Sequence, residues 1–283
     1  MNPMRVRGSR LLLMSIMCVG IVGCSEKNSG HDNLNAILWV QSSAEYAATT
    51  TAVYAAATSA LDEIVAGQPD SISQMVVIMD VDDTVLDNSR YRAHQMFEQP
   101  GKRGVTWDQW SARMEGTSIP GATEFVRSSQ ELGVRVQFIS NRRCRDRGDG
   151  SGICPQREET LSNLSALGIN IESDALYLRY EPPPEHCMEF LTDSERQVGM
   201  WASNDKTSRR QCVAHEYNVV MIIGDQLGDF VAWNQDETIA SRSTLMEQSR
   251  ENWGRTWFVI PNPTTGAWLK ILAPGELDHV QTM

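Results

Sequence analysis

Three apolar stretches, residues 75–80, 134–140 and 219–225, stand apart along the chain, and each ends in a polar residue: Asp80, Ser140 and Asp225. Short apolar runs bounded in this way read as strands buried on both faces. Between them the apolar positions take helical spacing, near 121–132, 156–167 and 206–217. Such alternation predicts a parallel sheet in an α/β fold, with residues 176–178 and 257–260 as candidate further strands. Ligands gather at the carboxyl edge of an open parallel sheet, so the three polar ends are the first place to look for a site.

Around this alternation lie segments of different character. Residues 34–66 are rich in Ala and lack Pro and Gly, which predicts one long helix or two shorter ones, ended by Gly67-Gln68-Pro69-Asp70. Residues 88–120 are long for a strand-to-helix connection and read as a cap insertion. Pro182-Pro183-Pro184 marks a rigid loop. The predicted organisation is a leader over 1–23, a tether over 24–33, a helical segment over 34–74 and a core over 75–283.

The leader reading rests on Arg5, Arg7 and Arg10 ahead of an apolar run over 11–22, a basic n-region and an h-region of secretory length. That run is short for a membrane span. Ile21-Val22-Gly23-Cys24 resembles a bacterial lipobox, in which the Cys is lipidated and becomes the first mature residue. The expected location is therefore membrane-anchored, at the cell surface, in the periplasm or on the outer membrane. Ser25 follows Cys24 without an Asp-type inner-membrane retention signal.

The 283 residues, 41% hydrophobic and 22% charged, fit a globular chain and exclude collagen-like, disordered and many-span classes. The net charge of −11 argues against a nucleic-acid partner, and removal of the leader makes the chain three units more acidic. Only four basic residues are lysines, Lys27, Lys102, Lys206 and Lys270, so a lysine inside a motif is informative. Of six cysteines, Cys144, Cys154, Cys187 and Cys212 remain beyond the leader and anchor, with no CxxC spacing for zinc. Outside the cytoplasm they permit two disulfides in three pairings; Cys144 with Cys154 is favoured, closing a Gly-rich loop that reads as flexible.

The chemistry concentrates in four elements. Asp80-Val81-Asp82-Asp83-Thr84 leaves a buried strand straight into carboxylates, which a divalent cation would stabilise. Ser140, in Ser140-Asn141-Arg142, offers a hydroxyl to a phosphate oxygen. Lys206 stands at the start of a predicted helix, where an anion is favoured. Gly224-Asp225-Gln226-Leu227-Gly228-Asp229 ends the third strand with two more acids and glycines that permit close approach.

In this order the four elements resemble the haloacid dehalogenase (HAD) superfamily of phosphohydrolases. The lipobox, Gln41-Ser42-Ser43-Ala44-Glu45-Tyr46, Ile119-Pro120-Gly121-Ala122 and Pro261-Asn262-Pro263 extend the likeness, over nearly the whole mature chain, to the class C acid phosphatases, surface lipoproteins also called DDDD phosphatases. Asp83 and Gly228 stand where relatives are expected to carry Glu or Asp, and the loop between Cys144 and Cys154 is longer than usual. The resemblance implies a HAD-like Rossmannoid parallel sheet flanked by helices, with a smaller, mainly helical cap.

It further implies a Mg²⁺-dependent acid phosphomonoesterase, a 5′-nucleotidase working through an aspartyl-phosphate. Asp80 would be the nucleophile and Asp82 the general acid and base. Ser140 and Lys206 would bind phosphate. Asp80, the main-chain carbonyl of Asp82, Asp225 and Asp229 would serve the metal. The substrate would be a small phosphomonoester, a nucleoside monophosphate by preference, with an aromatic clamp drawn from Trp39, Tyr91, Trp107, Trp110, Trp253 and Trp257. Competing expectations are a broad phosphatase or phosphotransferase, and a non-catalytic surface binding lipoprotein. Glu158, Glu159 and the histidines show no ligand spacing and read as surface residues.

Overall fold

The computed structural model describes residues 33–97, 104–232 and 237–272. The leader, Cys24 and the tether up to residue 32 lie outside the described residues. The described residues begin with two helices, α1 (Leu34–Ser42) and α2 (Ala44–Gly67). Ser43 separates them because its extended backbone and side chain cap α2, accepting from Tyr46 N at 3.0 Å.

Five strands form one parallel sheet: β1 (Met75–Met79), β4 (Arg135–Arg143), β5 (Leu176–Arg179), β6 (Asn218–Gly224) and β7 (Trp257–Val259). Their spatial order is β5-β4-β1-β6-β7, and every neighbouring pair is parallel. The chain builds outward from β1 through β4 to β5, then crosses back to β6 and β7. That reversal puts the switch point beside the carboxyl end of the central strand, β1, where the acidic run begins.

Helices cover both faces. The alternate residues Met75, Val77 and Met79 of β1 pack with Tyr54, Ala57 and Leu61 of α2, and with Phe125 and Val126 of α5 (Ala122–Glu131) and Leu164 of α6 (Pro155–Ala166). Val76 and Ile78 face the other way, toward Leu191, Trp201 and Val213. A strand buried on both faces shows no polar alternation, which is why the apolar runs were continuous in the sequence. On that second face lies α8 (Thr207–Glu216), preceded in the chain by α7 (Asp193–Val198), and Cys187 is disulfide-bonded to Cys212 of α8.

After β1 a tight turn leads into β2 (Leu86–Asp87), which pairs antiparallel with β3 (Thr117–Ser118). Between these two short strands run α3 (Ser89–Met96) and α4 (Trp107–Ser111). The described residues end with α9 (Leu227–Phe230), α10 (Ile239–Gln248) and α11 (Ala267–Lys270). Among the described residues no helix is long and apolar enough to cross a membrane.

Two expectations need correction. The second apolar run does not end at Ser140: β4 continues to Arg143, with a register shift against β5 between Ser140 and Arg143. Such an irregularity re-aims the residues it contains, here Asn141 and Arg142. The loop between Cys144 and Cys154 does close in a disulfide, but it is held rather than loose. Arg147 grips Asp108 of α4 (Nε to Oδ2 2.8 Å) and Glu159 of α6 (Nη2 to Oε2 2.7 Å). Glu159 is thus an anchor of this loop and not simply a surface acid.

Candidate active site

The turn after β1 sends two carboxylates in different directions. Asp80 N still donates to Ile223 O at 3.0 Å, so sheet pairing fixes the backbone one residue beyond the strand. Its side chain meets Lys206, whose Nζ donates to Asp80 Oδ1 and, at 2.6 Å, to Asp229 Oδ1. Lys206 caps α8, which fixes the origin of its long side chain. Asp225 follows β6 directly and receives Thr84 Oγ1 on Oδ1 at 3.3 Å and Asn262 Nδ2 on Oδ2 at 2.7 Å. Asp229 Oδ2 accepts from the backbone N–H of Asp225 (3.1 Å) and Gln226 (3.0 Å), which ties α9 to the end of β6. Gly224 is required there, since a Cβ would collide with the Asp229 side chain.

One carboxylate oxygen from each of Asp80, Asp225 and Asp229 lies within 4.8 Å of the others, and all three residues are buried. Burial pushes Asp80 up to about 7 against the pull of Lys206. Burial also raises Asp225 well above the usual carboxylate range, aided by Asp229 and Asp80. Burial lowers the pKa of Lys206, but Asp229 and Asp80 outweigh it and raise the pKa above its usual value. Three acids around one lysine leave the group short of positive charge, and an all-oxygen donor set suits a hard divalent cation. These residues therefore fit such an ion.

Asp82 points away from that cluster. Its Oδ1 accepts from Arg142 Nη2 (2.8 Å) and Asn88 Nδ2 (3.1 Å), and its Oδ2 from Arg142 Nε (3.0 Å) and Ser140 Oγ (3.4 Å). Asp82 thus meets both prongs of a bidentate arginine pair together with an amide and a hydroxyl. Arg142 is itself buried and donates Nη1 to Thr160 Oγ1 at 3.0 Å. Asn88 is fixed in turn by Trp110 Nε1, which donates to Asn88 Oδ1 at 2.8 Å. Asp83 sits at φ 62°, a left-handed position that Asp tolerates, and burial raises its pKa to about 6.

The structure thus brings Asp80, Lys206, Asp225 and Asp229 together and places Ser140 and Asp82 beside Arg142. Of the aromatic candidates, Trp110 is buried and spent on Asn88. Trp39 packs edge-on against Tyr46, and Trp253 and Trp257 pack against Phe230. Tyr91 and Trp107, in edge contact at 5.1 Å between ring centroids, line a cavity shared with Arg142.

Over residues 26–268 the chain matches the family described as HAD superfamily, subfamily IIIB (Acid phosphatase). The chain belongs to that family. It is an acid phosphatase of the HAD superfamily, a phosphoric monoester hydrolase. Its fold is that of two solved structures of the class C acid phosphatase from Bacillus anthracis, one of them with tungstate bound. Each is 22% identical with a TM-score of 0.70, covering 90% of this chain and 99% of the other. HAD phosphatases generally depend on a divalent metal, in keeping with the donor set described above.

Arg142, Asn88, Thr84 and Asn262 were not assigned roles from the sequence. Arg142 and Asn262 carry a signal nonetheless: a charged residue two positions beyond the Ser140 hydroxyl, and an Asn held between two prolines.

Proposed function

We propose that this acid phosphatase hydrolyses small phosphomonoesters, 5′-nucleotides foremost, by way of an aspartyl-phosphate on Asp80. The observation that carries the proposal is the division of labour at the end of β1: Asp80 faces Lys206 and two further acids, whereas Asp82 faces Arg142. In the first step Asp80 Oδ attacks phosphorus, the ester P–O bond breaks, and Asp82 gives a proton to the leaving oxygen. In the second, water loses a proton to Asp82 and attacks phosphorus, and the bond to Asp80 breaks.

Lys206 and the Ser140 hydroxyl bind the transferring phosphoryl oxygens. Arg142 and Asn88 hold Asp82 toward the leaving oxygen. As general acid Asp82 must hold a proton when the ester bond breaks, and below about pH 6 a phosphomonoester itself carries one that it can supply. Mg²⁺ would be held by Asp80, the main-chain carbonyl of Asp82, and Asp225, with Asp229 beside it, and would neutralise phosphate charge. The chain would act outside the cytoplasm, anchored through a lipid on Cys24 in the manner of an outer-membrane lipoprotein; support comes from the lipobox-like sequence and the disulfides.

A panel of phosphomonoesters assayed with Mg²⁺ and with chelator tests this, together with acid-quenched single turnovers read by peptide mass. The expected results are chelator-sensitive release, higher with nucleoside 5′-monophosphates than with aryl or sugar monophosphates, and an 80 Da increment on the peptide bearing Asp80. Release unaffected by chelator, or a quenched intermediate on another residue, would overturn the mechanism.

A further inference from the structure

The cavity lined by Tyr91 and Trp107 measures about 660 Å³, room for one small molecule and not for a polymer. Arg142, which holds the proposed general acid, forms part of its wall. In the proposed reaction the leaving oxygen lies on Asp82's side, and Arg142, which clasps Asp82, links that side to this cavity. Its charge is unexpected in a chain of net −11. Besides Arg142 the lining carries Arg92, Arg143, Arg145 and Lys270, against one acid among the described residues, Asp108.

That acid is already engaged. Arg147 binds both its oxygens (2.8 and 3.2 Å) and Gln156 Nε2 a third time (3.0 Å), leaving Arg145 at 3.5 Å in a loose outer pair. Arg143 rests near the Tyr180 ring, its guanidinium carbon 6.0 Å from the centroid, and has no carboxylate partner among the described residues. Arg92 approaches Asp83 only to 3.7 Å and keeps a buried Nε without a hydrogen bond. The transferring phosphate is already met by Lys206 and Ser140. A neutral sugar or base would leave these further cations unmatched.

We infer that the cavity binds a second anionic group on the leaving-group side, so that the preferred substrates are phosphomonoesters with another phosphate, such as nucleoside or sugar bisphosphates. This rests on the phosphatase reading of the site and adds a specificity to it. Arg143 and Arg145 are the specificity residues. The loop closed by the Cys144–Cys154 disulfide carries Arg145 to the cavity, while Arg147 fastens that loop to α4 and α6.

Steady-state kinetics of the full-length chain with Mg²⁺ decide the matter on two matched pairs. These are adenosine 5′-monophosphate against adenosine 3′,5′-bisphosphate, and fructose 6-phosphate against fructose 1,6-bisphosphate. The inference predicts a kcat/KM about tenfold higher for the bisphosphate of each pair, a factor equivalent to about 1.4 kcal/mol and well above the twofold statistical factor of two cleavable groups. In Arg143→Gln/Arg145→Gln the ratio falls to within the statistical factor. Because the ratio is taken within one preparation, a partly folded variant scales both rates alike.

Equal kcat/KM for mono- and bisphosphates in the wild type, or a preference that survives the double substitution, would overturn the inference while leaving the phosphatase reading intact. No release from any of the four would remove both. Bisphosphate preference in both pairs, with sugars and nucleotides cleaved alike, would remove the nucleotide preference alone.

Discussion

Asp82 and Asp225 are each held by donors that come from distant parts of the chain, and the cost of losing those donors is a residue-scale question. Arg142→Gln removes a bidentate clasp, leaving Asp82 with Asn88 and Ser140 only. The expected result is a kcat lowered by about 10- to 100-fold on p-nitrophenyl phosphate, partly restored in Arg142→Lys, which keeps the charge but not the planar fork. A kcat unchanged in Arg142→Gln would remove its positioning role. Asn262→Ala takes a 2.7 Å donor from Asp225 and should weaken Mg²⁺ binding by about tenfold, read from the Mg²⁺ concentration that half-maximally raises the melting temperature. The strand-end acids were legible in the sequence because a buried strand that ends in carboxylates has few explanations. Their supports were not: Asn88, Arg142 and Asn262 act across 6, 60 and 37 residues of chain, and no local pattern records such a contact.

At the scale of elements, periodicity identified the five sheet strands and the helices between them, since each buries a continuous apolar face. It placed the end of β4 too early, because Arg142 is polar by type yet buried by its partners Asp82 and Thr160. It also read the Gly-rich loop after Cys144 as flexible, for Arg147's anchors lie on α4 and α6, far off in sequence. That loop joins three elements, so its disulfide should matter to stability. For a ten-residue separation the chain-entropy model gives about 2–3 kcal/mol, and Cys144→Ser/Cys154→Ser should melt roughly 5–10 °C lower. An unchanged melting temperature would show that Arg147's ion pairs alone hold the loop.

For the whole molecule the acidic balance divides into two parts: a dispersed surface charge, and a buried group at the sheet's switch point. In metal-free protein Asp80, near 7, and Asp83, near 6, keep protons when folded that the unfolded chain releases above about pH 4. The folded state then binds more protons than the unfolded, and these groups reduce stability as pH rises from about 4 to 7. Mg²⁺ favours the ionised carboxylates, so its addition should raise the melting temperature more at pH 7 than at pH 5. An equal rise at both would contradict the assignment of the metal to this cluster. Phosphatase activity should run in the opposite sense, falling as pH climbs past about 6 and substrate loses the proton that Asp82 needs. Central to all of this is Asp80 as nucleophile, and one comparison bears on it most directly: phosphate release from p-nitrophenyl phosphate with Mg²⁺ by the wild type and by Asp80→Asn. The account predicts release by the wild type and a loss of at least about a thousandfold in the variant, whose amide cannot attack phosphorus; equal release by the two would contradict it.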